Sequence, residues 1–371
     1  MDIHEAIAIS QERLAGEGAT MHDLLGHLRD RISPVLIGEQ EWEHLLARAG
    51  TLPITMGAQP FGFELPLHDS RPRADFGVSL ASGNRSGAFF EERARHDPAD
   101  HTAAAVRRLF RSMEAADSPL RAIVGRKLML EYDIGSGGDG DPQPGMFLRP
   151  NERMIFGGAG QQHDVGVVVD GLVACHGLEP SAAERSNAER VYLTQPEDTR
   201  LDSFGLFPSR ARTIRLAIMG FAGQRDVRSF LEGIAWPGNI ATVETVLARF
   251  GERTHIVRTG VNVDVQADGI GPTLGLTPIV KQRYAAASRV WIDGLTDWQP
   301  VLEALRHEDR VVPEKVAALA GWVSQPTILF GRTGRFVLLR GIHHIKLVIA
   351  GDRVEQIKAY VYMVLSGAIA P

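Results

Sequence analysis

The stretch Val354-Glu-Gln-Ile-Lys-Ala-Tyr-Val-Tyr-Met-Val-Leu365 alternates apolar and polar residues with a period of two. Successive side chains of a strand point to opposite faces, so this pattern splits cleanly. One face carries Ile357, Ala359, Val361 and Met363; the other carries Gln356, Lys358, Tyr360 and Tyr362. The preceding run, Arg340 to Ile349, divides the same way, with Ile345, Leu347 and Ile349 against His344, Lys346 and Val348. The turn formers Ala350-Gly-Asp-Arg353 between the two runs predict a hairpin.

Working back along the chain, the same division recurs. In Ile256 to Val265, Val257, Thr259, Val261, Val263 and Val265 oppose Arg258, Gly260, Asn262 and Asp264. In Thr213 to Met219, Ile214, Leu216 and Ile218 oppose Thr213, Arg215 and Ala217, and in Leu128 to Asp133, Leu128, Leu130 and Tyr132 oppose Glu131 and Asp133. Further strands are predicted at Phe61 to Leu65, Ala74 to Leu80, Met146 to Arg149 and Thr273 to Val280. Helical spacing fills the gaps: Met21, Leu24, Leu25 and Leu28 share one face, as do Val106, Leu109, Phe110 and Met113. Thr296-Asp-Trp-Gln299 reads as a capping box, and Pro313 suits the first turn of a helix. The region from 161 to 200 does not decide itself: His163 to His176 fits a helix or a strand, and the partner of the strand at 213 has no clear place.

These elements predict an α+β fold, an antiparallel β-barrel or a large antiparallel sheet of about ten strands with surrounding helix pairs. The organisation expected is a single domain over 1–371, with helices in 1–55 and a repeated strand-pair and helix-pair barrel over 56–365. An open sheet with water on one face produces the same alternation as a closed barrel with a polar interior. Closure has the advantage of removing exposed sheet edges.

Composition narrows the class. A chain of 371 residues, 44% apolar and 23% charged, can bury a large core. Its net charge of −5 comes with interspersed signs, so no basic face for nucleic acid is expected. The one cysteine, Cys175, excludes an internal disulfide and a Cys-rich zinc site. The start Met1-Asp-Ile-His-Glu5 lacks the marks of a signal peptide, and no run approaches the roughly 18 apolar residues of a membrane span, so a cytoplasmic protein without membrane insertion is expected.

The order of elements from about 55 to 365, with Lys358-Ala-Tyr360 as a Lys-x-Tyr strand motif, resembles the ABBA prenyltransferases. The resemblance implies a ten-stranded antiparallel barrel (PT barrel) ringed by helices, and transfer of an isoprenoid group from its diphosphate donor to an aromatic or peptide acceptor. It implies that Arg215, Arg258, Lys346 and Lys358 bind the diphosphate in one site, that Tyr360 and Tyr362 shield an allylic cation, and that Glu131 takes the acceptor's proton from across the cavity. No cofactor is required by that chemistry, though magnesium has a place on the diphosphate. Arginine and lysine stabilise charge on a departing diphosphate, and aromatic faces stabilise a carbocation. Asn262 and Asp264 share the polar face of their strand and join the candidate substrate-binding set, and His344 joins Glu131 as a candidate acid–base group. Aromatic content is only 7%, and one Lys-x-Tyr occurs where the family often has several.

Two other readings fit the same residues: a non-catalytic binding or scaffold protein for a peptide or small anion, and a tailoring enzyme of another class using His344, Glu131 and Asp264. Other signals are weaker. Asp133 to Asp141 gathers carboxylates on a Gly-rich loop without EF-hand spacing, and Phe156 to Gln162 lacks the Lys-Ser or Lys-Thr of a P-loop. His343 and His344 are adjacent, so on a regular strand they point to opposite sides and no metal site is expected of them. The signatures of common metalloproteases, serine hydrolases and protein kinases are absent.

Overall fold

A computed structural model describes residues 3–134, 143–150, 162–208, 212–254, 256–280, 294–308 and 310–368. The strands are β1 (Phe61–Pro66), β2 (Asp75–Ala81), β3 (Val124–Tyr132), β4 (Gly145–Pro150), β5 (Arg200–Phe207), β6 (Thr213–Phe221), β7 (Ile256–Gln266), β8 (Gly269–Val280), β9 (Ser324–Gly331), β10 (Gly334–Ala350) and β11 (Arg353–Ser366). They pair in the order β11-β1-β2-β3-β4-β5-β6-β7-β8-β10-β9, and β10 also pairs with β11. Ten strands therefore close into an antiparallel barrel, and β9 lies outside the ring.

Closure depends on two ladders. The first joins β1 to β11 through Phe63↔Val361 and Glu64↔Tyr360. The second uses the length of β10: its last part pairs with β8 at Leu347↔Leu276, while its first part pairs with β9 at Phe336↔Leu329. A strand of 17 residues can serve two neighbours on one side in this way.

The apolar faces point outward and are covered by helices. Val261, Val263 and Val265 are fully buried, as are Leu130, Ile214 and Leu216. Against them pack α1 (Ile3–Ala15), α2 (Met21–Leu28), α3 (Glu39–Ala49), α4 (Arg85–His96), α5 (His101–Glu114), α6 (Pro119–Ile123), α7 (Gln162–Cys175), α8 (Ala182–Thr194), α9 (Gln224–Gly233), α10 (Ile240–Arg253), α11 (Gly294–Arg306) and α12 (Pro313–Ala320). The core is thus a layer between helices and barrel wall, and the polar faces are left for the interior. Among the described residues no helix is long and apolar enough to cross a membrane.

The undecided region resolves into α7, α8 and β5. Val165, Val168, Val169 and Leu172 of α7 are completely buried, so the valine-rich run is a core helix whose packing overrides its strand-like composition. Strand β5 is the missing partner of β6, with Phe204↔Leu216 and Gly205↔Arg215 in register. Helix α11 begins at Gly294, ahead of Thr296, so the capping-box pattern does not start it. Pro313 does open α12. The Gly- and Asp-rich loop after Ile134 and the run Phe156 to Gln161 lie outside the described residues.

Candidate functional site

The mouth of the barrel is the end where β1, β3, β5, β7 and β10 finish. A cavity of about 410 Å³ lies there, walled by residues of β1, β2, β6, β7, β8, β10 and β11. Of the predicted residues, Arg215, Asn262, Asp264, Lys346 and Lys358 line it.

The charges are matched in pairs. Lys358 Nζ lies 2.5 Å from Glu64 Oε1, a carboxylate that is almost wholly buried. Burial alone pushes the Glu64 carboxyl up, but the ammonium groups of Lys358 and Lys346 outweigh it and bring it down to about 2. Arg215 grips Asp264 with two parallel hydrogen bonds, Nε to Oδ1 at 2.7 Å and Nη2 to Oδ2 at 3.0 Å, and its guanidinium stacks 5.0 Å from the Phe207 ring. Thr273 Oγ1 donates to Asp264 from the next strand. Burial works against the Arg215 charge, and Asp264 more than restores it.

Lys346, also buried, stands 4.6 Å over the Tyr360 ring. Burial lowers its pKa to about 8, with Glu64 pulling the other way. Tyr360 is stacked on its other side against His344, ring centroids 4.0 Å apart and 14° from parallel. Burial, then the charges of Glu64 and Glu131, push the Tyr360 hydroxyl well above its ordinary range. Asp75, opposite Glu64 on β2, accepts the Ile134 N–H at 2.9 Å; burial and the Glu64 charge push its carboxyl up to about 7. The loop after β1 is tied down by Lys315, buried on α12, which donates to the carbonyls of Pro66 at 2.9 Å and Arg71 at 2.6 Å.

Several placements correct the sequence reading. Arg258 does not line this cavity: it lies six residues before Asp264 on β7, roughly 20 Å away along an extended strand, and donates to the Gly220 carbonyl at 3.1 Å. Parity places a residue inside the barrel but not at a given depth. Glu131 does not line the cavity; it is buried on β3, four strands round the ring from β10, within electrostatic reach of Lys346, Tyr360 and Arg215. Tyr362 lies deeper, its hydroxyl occupying the space a side chain at Gly341 would fill. His343 and His344 do not point apart. A bulge makes His343 an extra residue in the β10–β11 ladder, and the two Nδ1 atoms approach to 2.7 Å, one donating and the other accepting. Among the described residues no three His, Cys, Asp or Glu side chains are arranged to hold a metal ion.

Glu64 and Asp75 were missed by sequence reasoning. The parity that found Lys358 finds both, since Glu64 alternates with Phe63 and Leu65, and Asp75 precedes Phe76. Four Lys or Arg side chains and five Asp or Glu side chains line the cavity, so its wall is not cationic.

No protein-family model matches the chain, and no curated protein matches it by sequence. Solved structures do match in fold. The chain is similar to 5-dimethylallyltryptophan synthase from Streptomyces coelicolor, at 12% identity over 95% of this chain and 99% of that one, TM-score 0.50. It is similar to the apo form of the prenyltransferase PriB, at 16% identity over 94% of this chain and 96% of that one, TM-score 0.54. The PriB ternary complex with L-tryptophan and dimethylallyl thiolodiphosphate matches at 15% identity over 93% and 96%, TM-score 0.50. At such identities the likeness is one of fold, and the fold is the ABBA barrel.

Proposed function

We propose that this ABBA-fold chain transfers an isoprenoid group from its diphosphate to an aromatic acceptor in the mouth cavity. The observation that carries the reading is the convergence of Arg215, Lys346 and Lys358 on one cavity, with Tyr360 packed against Lys346. In this reading the three cations hold the diphosphate, and the bond from the allylic carbon to the diphosphate oxygen breaks as a bond to the acceptor forms. The displaced acceptor proton passes to a carboxylate, Glu64 or Glu131, and diphosphate departs. The Tyr360 ring stabilises positive charge on the allyl fragment. A fold shared with proteins crystallised with L-tryptophan and dimethylallyl thiolodiphosphate supports the donor and acceptor classes.

Two of the three cations are already matched by acids, so the donor must draw Lys358 from Glu64 and Arg215 from Asp264. That matching favours a second reading, in which the cavity holds a ligand bearing an amino group and no transfer occurs. Calorimetric titration with dimethylallyl and geranyl thiolodiphosphates, with and without magnesium, separates the two. The transferase reading expects binding weakened about tenfold or more by Lys346→Met, a loss typical of a charged hydrogen bond. It also expects an acceptor mass raised by one isoprenyl unit when the true diphosphate is supplied. Absence of heat from the folded wild-type protein with either mimic overturns it.

A further inference from the structure

The opposite end of the barrel holds a second cavity, of about 600 Å³, that shares no lining residue with the first. On β3, Lys127 stands six residues before Asp133, so the two cavities are separated by roughly 20 Å of strand.

Its charges are arranged differently. Strand β3 carries a bulge here: Gly125, Arg126 and Lys127 together oppose the single residue Arg149 between the pairs Val124↔Pro150 and Leu128↔Leu148. Adjacent residues of a regular strand face opposite sides, but the bulge turns both Arg126 and Lys127 to the cavity, where both are exposed. Neither has an acidic partner among the described residues. Arg149 and Arg200 join them, sharing Asp202 at 2.6 Å and 3.2 Å, so four cations line the cavity against one carboxylate. A third observation is independent of charge. Ser82, which lines the cavity and is 5% exposed, has a hydroxyl buried without any hydrogen-bond partner. A buried polar atom left unpaired costs stability, so such a group is expected where a ligand completes it.

We propose that this basal cavity is a binding site for a small phosphorylated molecule, whose oxyanion is held by Arg126 and Lys127 and by the Ser82 hydroxyl, which turns about its single side-chain torsion from its buried position to face the cavity. Guanidinium forks match phosphate oxygens in geometry, and Ile7, Ala8 and Leu201 offer an apolar surface to the rest of such a ligand. The site is distinct from the mouth cavity and does not depend on what that cavity does.

The test uses inorganic diphosphate as the probe, titrated calorimetrically into the full chain and into Arg126→Gln/Lys127→Gln, Lys346→Met and Ser82→Ala. The expected result is loss of one bound equivalent in the Arg126→Gln/Lys127→Gln protein, with the wild-type melting temperature retained because both side chains are exposed. Lys346→Met keeps that equivalent. If the mouth binds no diphosphate, the wild type binds one equivalent rather than two and the basal variant binds none, so the two readings fail separately. Ser82→Ala is expected to weaken the basal equivalent several-fold while leaving the ligand-free melting temperature unchanged or raised, which a structural hydroxyl would not do. No diphosphate bound by the wild type, or stoichiometry and affinity unchanged in the Arg126→Gln/Lys127→Gln protein, overturns the proposal.

Discussion

At the mouth of the barrel Lys358 lies against Glu64 and Arg215 against Asp264, whereas at the base Arg126 and Lys127 stand without an acid beside them. The mouth charges are enclosed and the basal ones are exposed. A buried ion cannot be left alone, so the mouth cations and acids hold one another and the native fold depends on both. The basal cations stay hydrated, and their removal leaves nothing stranded. A lysine or arginine inside a barrel is therefore no sign of an anion site until its partner is known.

The sharpest way to break this comparison is Lys358→Ala. It removes the ion-pair partner of the buried Glu64 carboxylate and leaves only Lys346 and Tyr360 to offset its burial, and a loss of ~3 kcal/mol in urea-denaturation stability is expected. The double change Glu64→Gln/Lys358→Met should recover most of that loss, and a Lys358→Ala protein as stable as wild type would remove the distinction between the two ends.

Next in size is Gly62→Ala. A Cβ there would stand 1.9 Å from the Val361 carbonyl oxygen, backbone against backbone across the β1–β11 ladder, and the strands must part. The expected cost is about 1–3 kcal/mol in the same denaturation measurement. Because Glu64 and Lys358 sit on those two strands, the heat of thiolodiphosphate binding should fall with it.

The third effect is a pH slope. Native Asp75 keeps its proton up to about pH 7, while the unfolded chain releases it near 3.8. Between those values the native state binds the extra proton, so its contribution to stability declines as pH rises and is lost above about 7. Melting curves from pH 5 to 7 should show that decline, reduced in Asp75→Asn. A variant with the wild-type slope would mean that Asp75 ionises normally.

Smallest is the basal pair itself. Arg126→Gln/Lys127→Gln should shift denaturation stability by no more than about 0.5 kcal/mol, as for exposed residues without partners. A larger loss would show that these cations too belong to the fold.

Much of this architecture is legible in the sequence because a strand has period two. The alternation in 354–365 and 256–265 assigns Lys358, Asn262 and Asp264 to the interior, and the structure lines the mouth cavity with all three. Four things resist that reading. Depth along a strand is invisible to parity, so Arg258 was grouped with residues it does not approach. Bulges shift parity by a residue, which hid the His343–His344 contact and the convergence of Arg126 with Lys127. Ion pairing is a property of neighbouring strands, and Lys358 is separated from Glu64 by almost the whole chain. Strand β9, outside the ring, repeats no pattern of the others, and its Phe330 is 81% exposed.

The ladder joining β1 to β11 also has a kinetic side. Every other ladder of the ring links strands that are adjacent or nearly so in sequence, while this one brings Phe61–Pro66 against residues near 360. Loop-closure entropy weighs on such a pairing, so hairpins should form early and the ring should shut last. On the ribosome the order is enforced: until β11 emerges, β1 and β10 each present an open edge, and the growing chain is most exposed to misassociation in the interval between the synthesis of β10 and that of β11.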